Sequence, residues 1–201
     1  MMRRFFQSDF FYAFTRSPLA MVSLFVVALM VLSAVFANFI APTNPFDPAS
    51  LNLMNGFTPP MEANMFTGEK FLLGTDDQGR DLFSAILYGL RVSLFVGMMA
   101  VGLAMVLGVL LGLIAGYVGG WLDTLIMRLA DIQMTFPSIL IAMLIFGVAR
   151  GLLPPELREE MAITVLILSI GLSEWVNFAR TVRGSTMVEK EKEYVAAARL
   201  I

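Results

Sequence analysis

Three ionisable side chains, Arg128, Asp131 and Glu174, lie inside stretches otherwise dominated by apolar residues. A charge at the centre of a membrane helix costs roughly 2.5–3.5 kcal/mol, and less near an end. Two chemistries accommodate such groups: an interhelical ion pair, or a coupling site for an ion that crosses the bilayer. A proton relay needs a chain of such groups through the membrane, and three charges at one level do not supply it. At about 1.5 Å of rise per residue, the three sit at comparable depth from the same end of their segments. Opposite sign and equal depth predict a pair between Glu174 and Arg128.

The missing residue types exclude more. The 201 residues contain no Cys and no His. Disulfides, zinc–thiolate centres, His-dependent triads and HExxH metalloproteases are therefore impossible. An aspartyl intramembrane protease lacks its second deep Asp. No GxxxxGK[ST] occurs, so nucleotide hydrolysis is not expected in this chain. Neither a metal nor any other cofactor is expected in it.

Two further segments carry spacing of interest. In Leu73-Gly-Thr-Asp-Asp-Gln-Gly-Arg-Asp81 the glycines Gly74 and Gly79 permit tight turns, and Thr75, Asp76, Arg80 and Asp81 stand among them. Asp76 and Asp77 stand where a helix N-terminus takes an acceptor. The apolar residues Leu82, Phe83, Ile86, Leu87 and Leu90 share one helical face, which predicts a short helix at the interface. An EF-hand would need alternating oxygen ligands and a distal Glu that this segment lacks. Near the other end, Glu193, Tyr194, Val195, Ala196, Ala197, Ala198 and Arg199 form a helix-favouring run whose small side chains suit docking into a partner's groove.

The elements that must position these residues are membrane helices. The chain is 58% apolar and 15% charged, with a mean hydropathy of +0.77, far from a soluble domain. A net charge of −2 offers no basic field for nucleic acid. Residues 1–18 read as a cytoplasmic N-terminus, and 19–41 as a first transmembrane helix. That first run is too long for a signal-peptide core and has no A-x-A site closing it. Residues 42–91 read as an extracytoplasmic loop containing the interfacial helix. Residues 92–201 hold helices at about 92–118, 124–149 and 161–180. The fold class is all-α and polytopic, with four spans of about 20 or more residues. Positive charge near the span ends favours the N-terminus and residues 187–201 on the cytoplasmic side.

Within the spans, Ala100, Ala104, Gly108, Gly112 and Gly116 make a stripe of small residues every four positions, allowing another helix to approach. Internal packing and a subunit interface both remain open for it. Pro137 should bend the third span. Ser169, Ser173 and Asn177 place a polar stripe on the fourth, either bonded to a neighbouring helix or lining a wet path.

The chain resembles the C-type permease subunit of the dipeptide/oligopeptide/nickel importers, which are driven by ATP-binding cassettes. The resemblance is carried by residues 73–84, Tyr88-Gly-Leu-Arg-Val-Ser-Leu94, Arg128-Leu-Ala-Asp131 with Phe136-Pro-Ser138, Ala179-Arg-Thr-Val-Arg-Gly184, and the run from Glu193 to Arg199. That last run is similar to the start of the E-A-A-x-x-x-G coupling loop, with Ala196 in the place of its Glu. The resemblance implies a six-helix subunit of the bacterial cytoplasmic membrane. It also implies a second permease, two cytoplasmic ATPases carrying ATP and magnesium, and an extracytoplasmic solute-binding protein, with residues 193–199 as the ATPase-coupling element. A family member is expected to continue through the loop and two more helices, so four spans ending at the coupling helix predict an incomplete permease. A secondary transporter or channel using Asp131 and Glu174 is the alternative from another class. A truncated membrane fragment without transport activity is a third.

Overall fold

The computed structural model describes residues 14–48 and 51–198. Arg199 and most of the N-terminal segment, residues 1–13, lie outside the described residues. The chain divides into two compact units, Met1–Leu94 and Phe95–Ile201. The helices are α1 (Pro18–Val35), α2 (Ala37–Ile40), α3 (Leu82–Val118), α4 (Gly120–Met134), α5 (Ser138–Leu152), α6 (Ala162–Lys190) and α7 (Glu193–Ala198). Among the described residues no strand forms, and only the isolated bridges Ala63–Lys70 and Thr75–Asp81 occur. Helices α1, α3 and α6 are each long and apolar enough to cross a membrane, and α4 with α5 provides a fourth crossing if the bent pair is taken as one. The all-α polytopic architecture is therefore present.

In the first unit, Pro18 opens α1 with a ring already set for helix, and the Ser17 side chain accepts the Ala20 N–H. Nearly all of α1 is exposed apolar surface, as expected of a helix whose solvent is lipid. Beyond α2 the chain enters an irregular loop built on buried polar groups, including Asn55, Thr58, Asn64, Thr75 and Asp81.

The helix expected at the interface over 82–90 is not a separate element. It is the first part of α3, which runs unbroken for 37 residues. Gly89 alone does not stop a helix, since one glycine costs only about 1 kcal/mol. Arg91, the charge that sets off the second apolar run, has its guanidinium hydrogen-bonded by neutral oxygens of α1 and α2. Its Nε donates to the Ala34 carbonyl at 2.9 Å, Nη2 to Val35 O at 3.0 Å and Nη1 to Asn38 Oδ1 at 2.9 Å.

The second unit contains the rest of α3 with α4 to α7. Gly119 and Gly120, both at positive φ, make the turn between α3 and α4. The third span starts at Gly120 rather than near 124, and it is broken, not merely bent. Helix α4 ends at Met134, α5 starts at Ser138, and the two axes differ by 95°. Pro137 has no N–H to give, so the Gln133 carbonyl is taken by Phe136 N–H at 3.2 Å and the helical ladder stops. Helix α6 continues to Lys190, about ten residues past its expected end. The alanine and glycine stripe of α3 packs within the unit. Ala100 and Ala104 are buried. A Cβ added at Gly112 would lie 2.5 Å from Ala179 O, and one at Gly116 would lie 2.9 Å from Arg183 O. The stripe is thus internal packing of α3 against α6.

Candidate functional site

The loop motif is organised by two of its three carboxylates, Asp76 and Asp81, and the expected capping residues do not cap the helix. Asp76 does not cap the helix. Its Oδ1 accepts the N–H groups of Gln78 at 2.9 Å and Arg80 at 2.8 Å, and its Oδ2 accepts Arg80 Nε at 2.6 Å. Burial alone would raise the Asp76 pKa, but these bonds to Arg80 and Gln78 outweigh it and hold the carboxyl below its ordinary 3.8. Asp77 is exposed. The cap of α3 is Asp81, which accepts from Phe83 N, from Ser84 N at 3.1 Å and from Ser84 Oγ at 2.5 Å. The competing principle is turn geometry: Asp76 closes on the backbone two and four residues ahead, leaving the acceptor nearest the helix to cap it.

The glycines and Thr75 serve the same knot. Gly74 and Gly79 both adopt positive φ, a Cβ on Gly74 would lie 2.5 Å from Thr58 O, and one on Gly79 would strike the Asn52 carbonyl. Thr75 Oγ1 donates to Asn55 O and accepts Thr58 N–H at 2.9 Å. The motif's chemistry is therefore to fix a loop between two membrane helices.

Between α4 and α6 the charges pair differently from the sequence expectation. Asp131 is bound by Arg180, and Asp123 takes Arg183 through Nε at 2.5 Å and Nη2 at 2.6 Å. Glu174 accepts Asn177 Nδ2 of its own helix at 3.1 Å. Arg128 is exposed and has no ion-pair or hydrogen-bond partner among the described residues. The expected Glu174–Arg128 pair is not made. Equal depth in two helices does not fix their facing sides, and the rotation of α4 turns Asp131 and Asp123, not Arg128, towards α6. Because α6 extends to Lys190, Arg180 and Arg183 are helical residues able to meet those carboxylates.

The polar stripe on α6 turns inward on its own backbone. Ser169 Oγ donates to Val165 O at 2.7 Å and Ser173 Oγ to Ile170 O at 2.8 Å. The bond that links the helices comes instead from Gln133, which the sequence expectation passed over. Its Nε2 donates to Leu172 O at 3.2 Å and Ser173 O at 2.8 Å, while its Oε1 accepts Trp175 Nε1 at 3.0 Å. A Gln three residues before the Phe-Pro break was the available signal.

At the far end of α6, Lys190 Nζ donates to the Tyr117 carbonyl at 2.7 Å. A short turn leads into α7, where Tyr194 Oη donates to Glu189 Oε2 at 2.6 Å and Lys192 binds Glu189 Oε1 at 2.5 Å. The bond to Glu189 holds the Tyr194 phenol in its protonated form and raises its pKa. Glu193 and Tyr194 are exposed, Val195 is half-buried, and Ala196, Ala197 and Ala198 complete the helix.

Two family descriptions match separate parts of the chain. Residues 108–201 match the family described as binding-protein-dependent transport system inner membrane component. Residues 2–60 match the N-terminal TM domain of oligopeptide transport permease C. The oligopeptide transport system permease protein OppC of Bacillus subtilis (strain 168) is 35% identical over 188 residues, covering 94% of this chain and 55% of that protein. The glutathione transport system permease protein GsiD of Shigella flexneri serotype 5b is 39% identical over 196 residues, and that of Escherichia coli O157:H7 is 37% identical over the same length. Both alignments cover 96% of this chain and 57% of the relative. The chain thus spans little more than half the length of these relatives.

Proposed function

Because the chain belongs to the family of inner-membrane components of binding-protein-dependent transport systems, we propose that it is a permease subunit of an ATP-driven importer for peptides or a related small solute. One observation carries this reading: 94–96% of the chain aligns with oligopeptide and glutathione permeases. Apolar helices and family membership make it a multi-pass inner-membrane protein. The N-terminus lies in the cytoplasm, the loop over 42–91 outside, and α7 inside. Two ATPase subunits bind ATP and magnesium and dock on Glu193, Tyr194, Val195 and the alanines that follow, with Arg199 continuing the surface. A second permease completes the path, and a solute-binding protein delivers from the outer face.

Geometry gives this reading its mechanics. Force applied to α7 passes into α6 through the Glu189 contacts, and α6 is tied to α4 by Asp123–Arg183 and Asp131–Arg180. Movement at the cytoplasmic end is thereby delivered to the broken helix. Both Asp131 and Glu174 are engaged by neighbours, which supports a bracing role for them over ion coupling.

The test is uptake of labelled peptide by cells in which the natural reading frame is disrupted and then restored. Ala197→Trp should leave membrane insertion intact while ATPase co-purification and uptake fall at least tenfold. Full uptake and ATPase binding in that variant would defeat the docking assignment. In the same cells, an impermeant thiol reagent should label Thr67→Cys and spare Lys190→Cys.

A further inference from the structure

We infer that the break between α4 and α5, together with the facing side of α6, lines a water-filled stretch of the transport path that accepts uncharged amide groups of the solute. This rests on the transport reading above and names the site and the chemistry it recognises.

The first observation is the backbone. Helices α4 and α5 have 15 residues each, about 22 Å of helix apiece. Neither reaches across a hydrocarbon core of about 30 Å alone. Their junction therefore falls within an apolar stretch. There, among the described residues, the carbonyls of Met134, Thr135 and Phe136 receive no backbone N–H, and no side chain caps the first turn of α5. Non-helical backbone at membrane depth is sustained only where protein covers it or water reaches it. Met134 and Phe136 are 50% and 59% exposed, so the described residues leave the junction uncovered.

The second observation is a cavity at the same place, of about 170 Å³, lined by Gln133, Met134, Phe136, Ser138, Ile141, Ser173, Val176 and Asn177. Every polar side chain in that lining is uncharged. Gln133 is fully committed to Leu172, Ser173 and Trp175, which makes it a rigid wall. Ser138 has no hydrogen-bond partner among the described residues. Asn177 spends one amide hydrogen on Glu174 and keeps its oxygen. The free groups are thus neutral donors and acceptors beside a row of bare carbonyls. A peptide bond offers the matching N–H and C=O pair. No carboxylate or thiolate lines the cavity, so it lacks the anionic ligands that hold a soft or multivalent transition-metal ion tightly.

The apolar wall of the neighbouring α5 surface supplies an internal control, since Met143 is 65% exposed and lies outside the cavity lining. The chain is naturally free of Cys. Ser138→Cys, Asn177→Cys and Met143→Cys are introduced singly into the natural protein in its cell membrane, and treated with a charged, water-soluble methanethiosulfonate. Labelling at the two cavity positions should run at least tenfold faster than at Met143→Cys. Tri-alanine should slow it severalfold, with nickel ion at the same concentration having no effect. Cavity positions labelling no faster than Met143→Cys would overturn the inference, even with peptide uptake intact. Fast labelling unchanged by tri-alanine, in cells shown to import it, would overturn the amide assignment. Fast labelling in cells that import no peptide would leave the wet cavity standing and defeat the functional reading instead.

Discussion

The loop of the first unit and the α3–α6 seam of the second solve the same problem by opposite means. The loop buries polar side chains and knots them together: Asn64 alone donates to Met54 O and Thr58 Oγ1, and accepts from Phe66 N and Thr67 N. The seam buries almost no side-chain volume, bringing Gly112 and Gly116 against the backbone of α6. The difference follows from the surroundings. Hydrocarbon gives helices no hydrophobic reason to associate, so close fit must hold them. Outside the bilayer an irregular backbone has many groups to satisfy, and short polar side chains do so most directly.

The sharpest way to break the contrast is to add bulk to the seam. Gly112→Leu should force α3 off α6 and cost about 3 kcal/mol, the upper part of the range for overpacking. Severalfold lower membrane accumulation and a lower Tm in detergent are expected. Gly97→Leu, on the same helix with open space around it, should leave both unchanged. If the two variants behave alike, close fit is not what holds the seam.

A polar deletion in the loop should act more weakly and locally. Asn64→Ala strips the bonds that gather residues 54–67 and should cost about 1–3 kcal/mol. Limited proteolysis should then cut the loop severalfold faster, while the detergent Tm of the helices stays within a degree or two.

The smallest effect concerns Asp76. Its folded pKa lies below its ordinary value, so its contribution to stability is full above pH 3.8 and disappears as pH falls through the lowered value. Protease resistance of the loop should therefore decline on acidification below pH 3.8, and Asp76→Asn should flatten that dependence. An unchanged acid profile in Asp76→Asn would remove Asp76 from the knot.

The sequence made the spans and the seam readable because each depends on local spacing. Ala100 to Gly116 recurs every fourth residue, and a helix period turns that into one face. Pro137 likewise announced a disturbance, although its size, a 95° break, depends on how α4 and α5 pack. Pairings were not readable. Arg128 and Asp131 are three residues apart in one helix, and only the rotation of α4 against α6 decides which of them meets a partner. Asp76 and Asp77 were the residues expected to cap the helix, and Asp81 took that place because of a turn whose closure involves Thr58 and Asn52, some twenty residues earlier. Gln133 escaped notice because a single amide has no periodicity to betray it.

Arg91 has a consequence for how the protein is made. Its guanidinium closes on carbonyls and an amide of residues 34–38, between 53 and 57 positions earlier. At bacterial elongation speeds of roughly 5–20 residues per second, the end of α1 waits about 3 to 11 s on the ribosome before that cation is synthesised. During this interval the Ala34 and Val35 carbonyls have not yet met the guanidinium that takes them in the folded protein. The contact therefore closes only when α3 arrives, as a step of assembly later than the synthesis of α1.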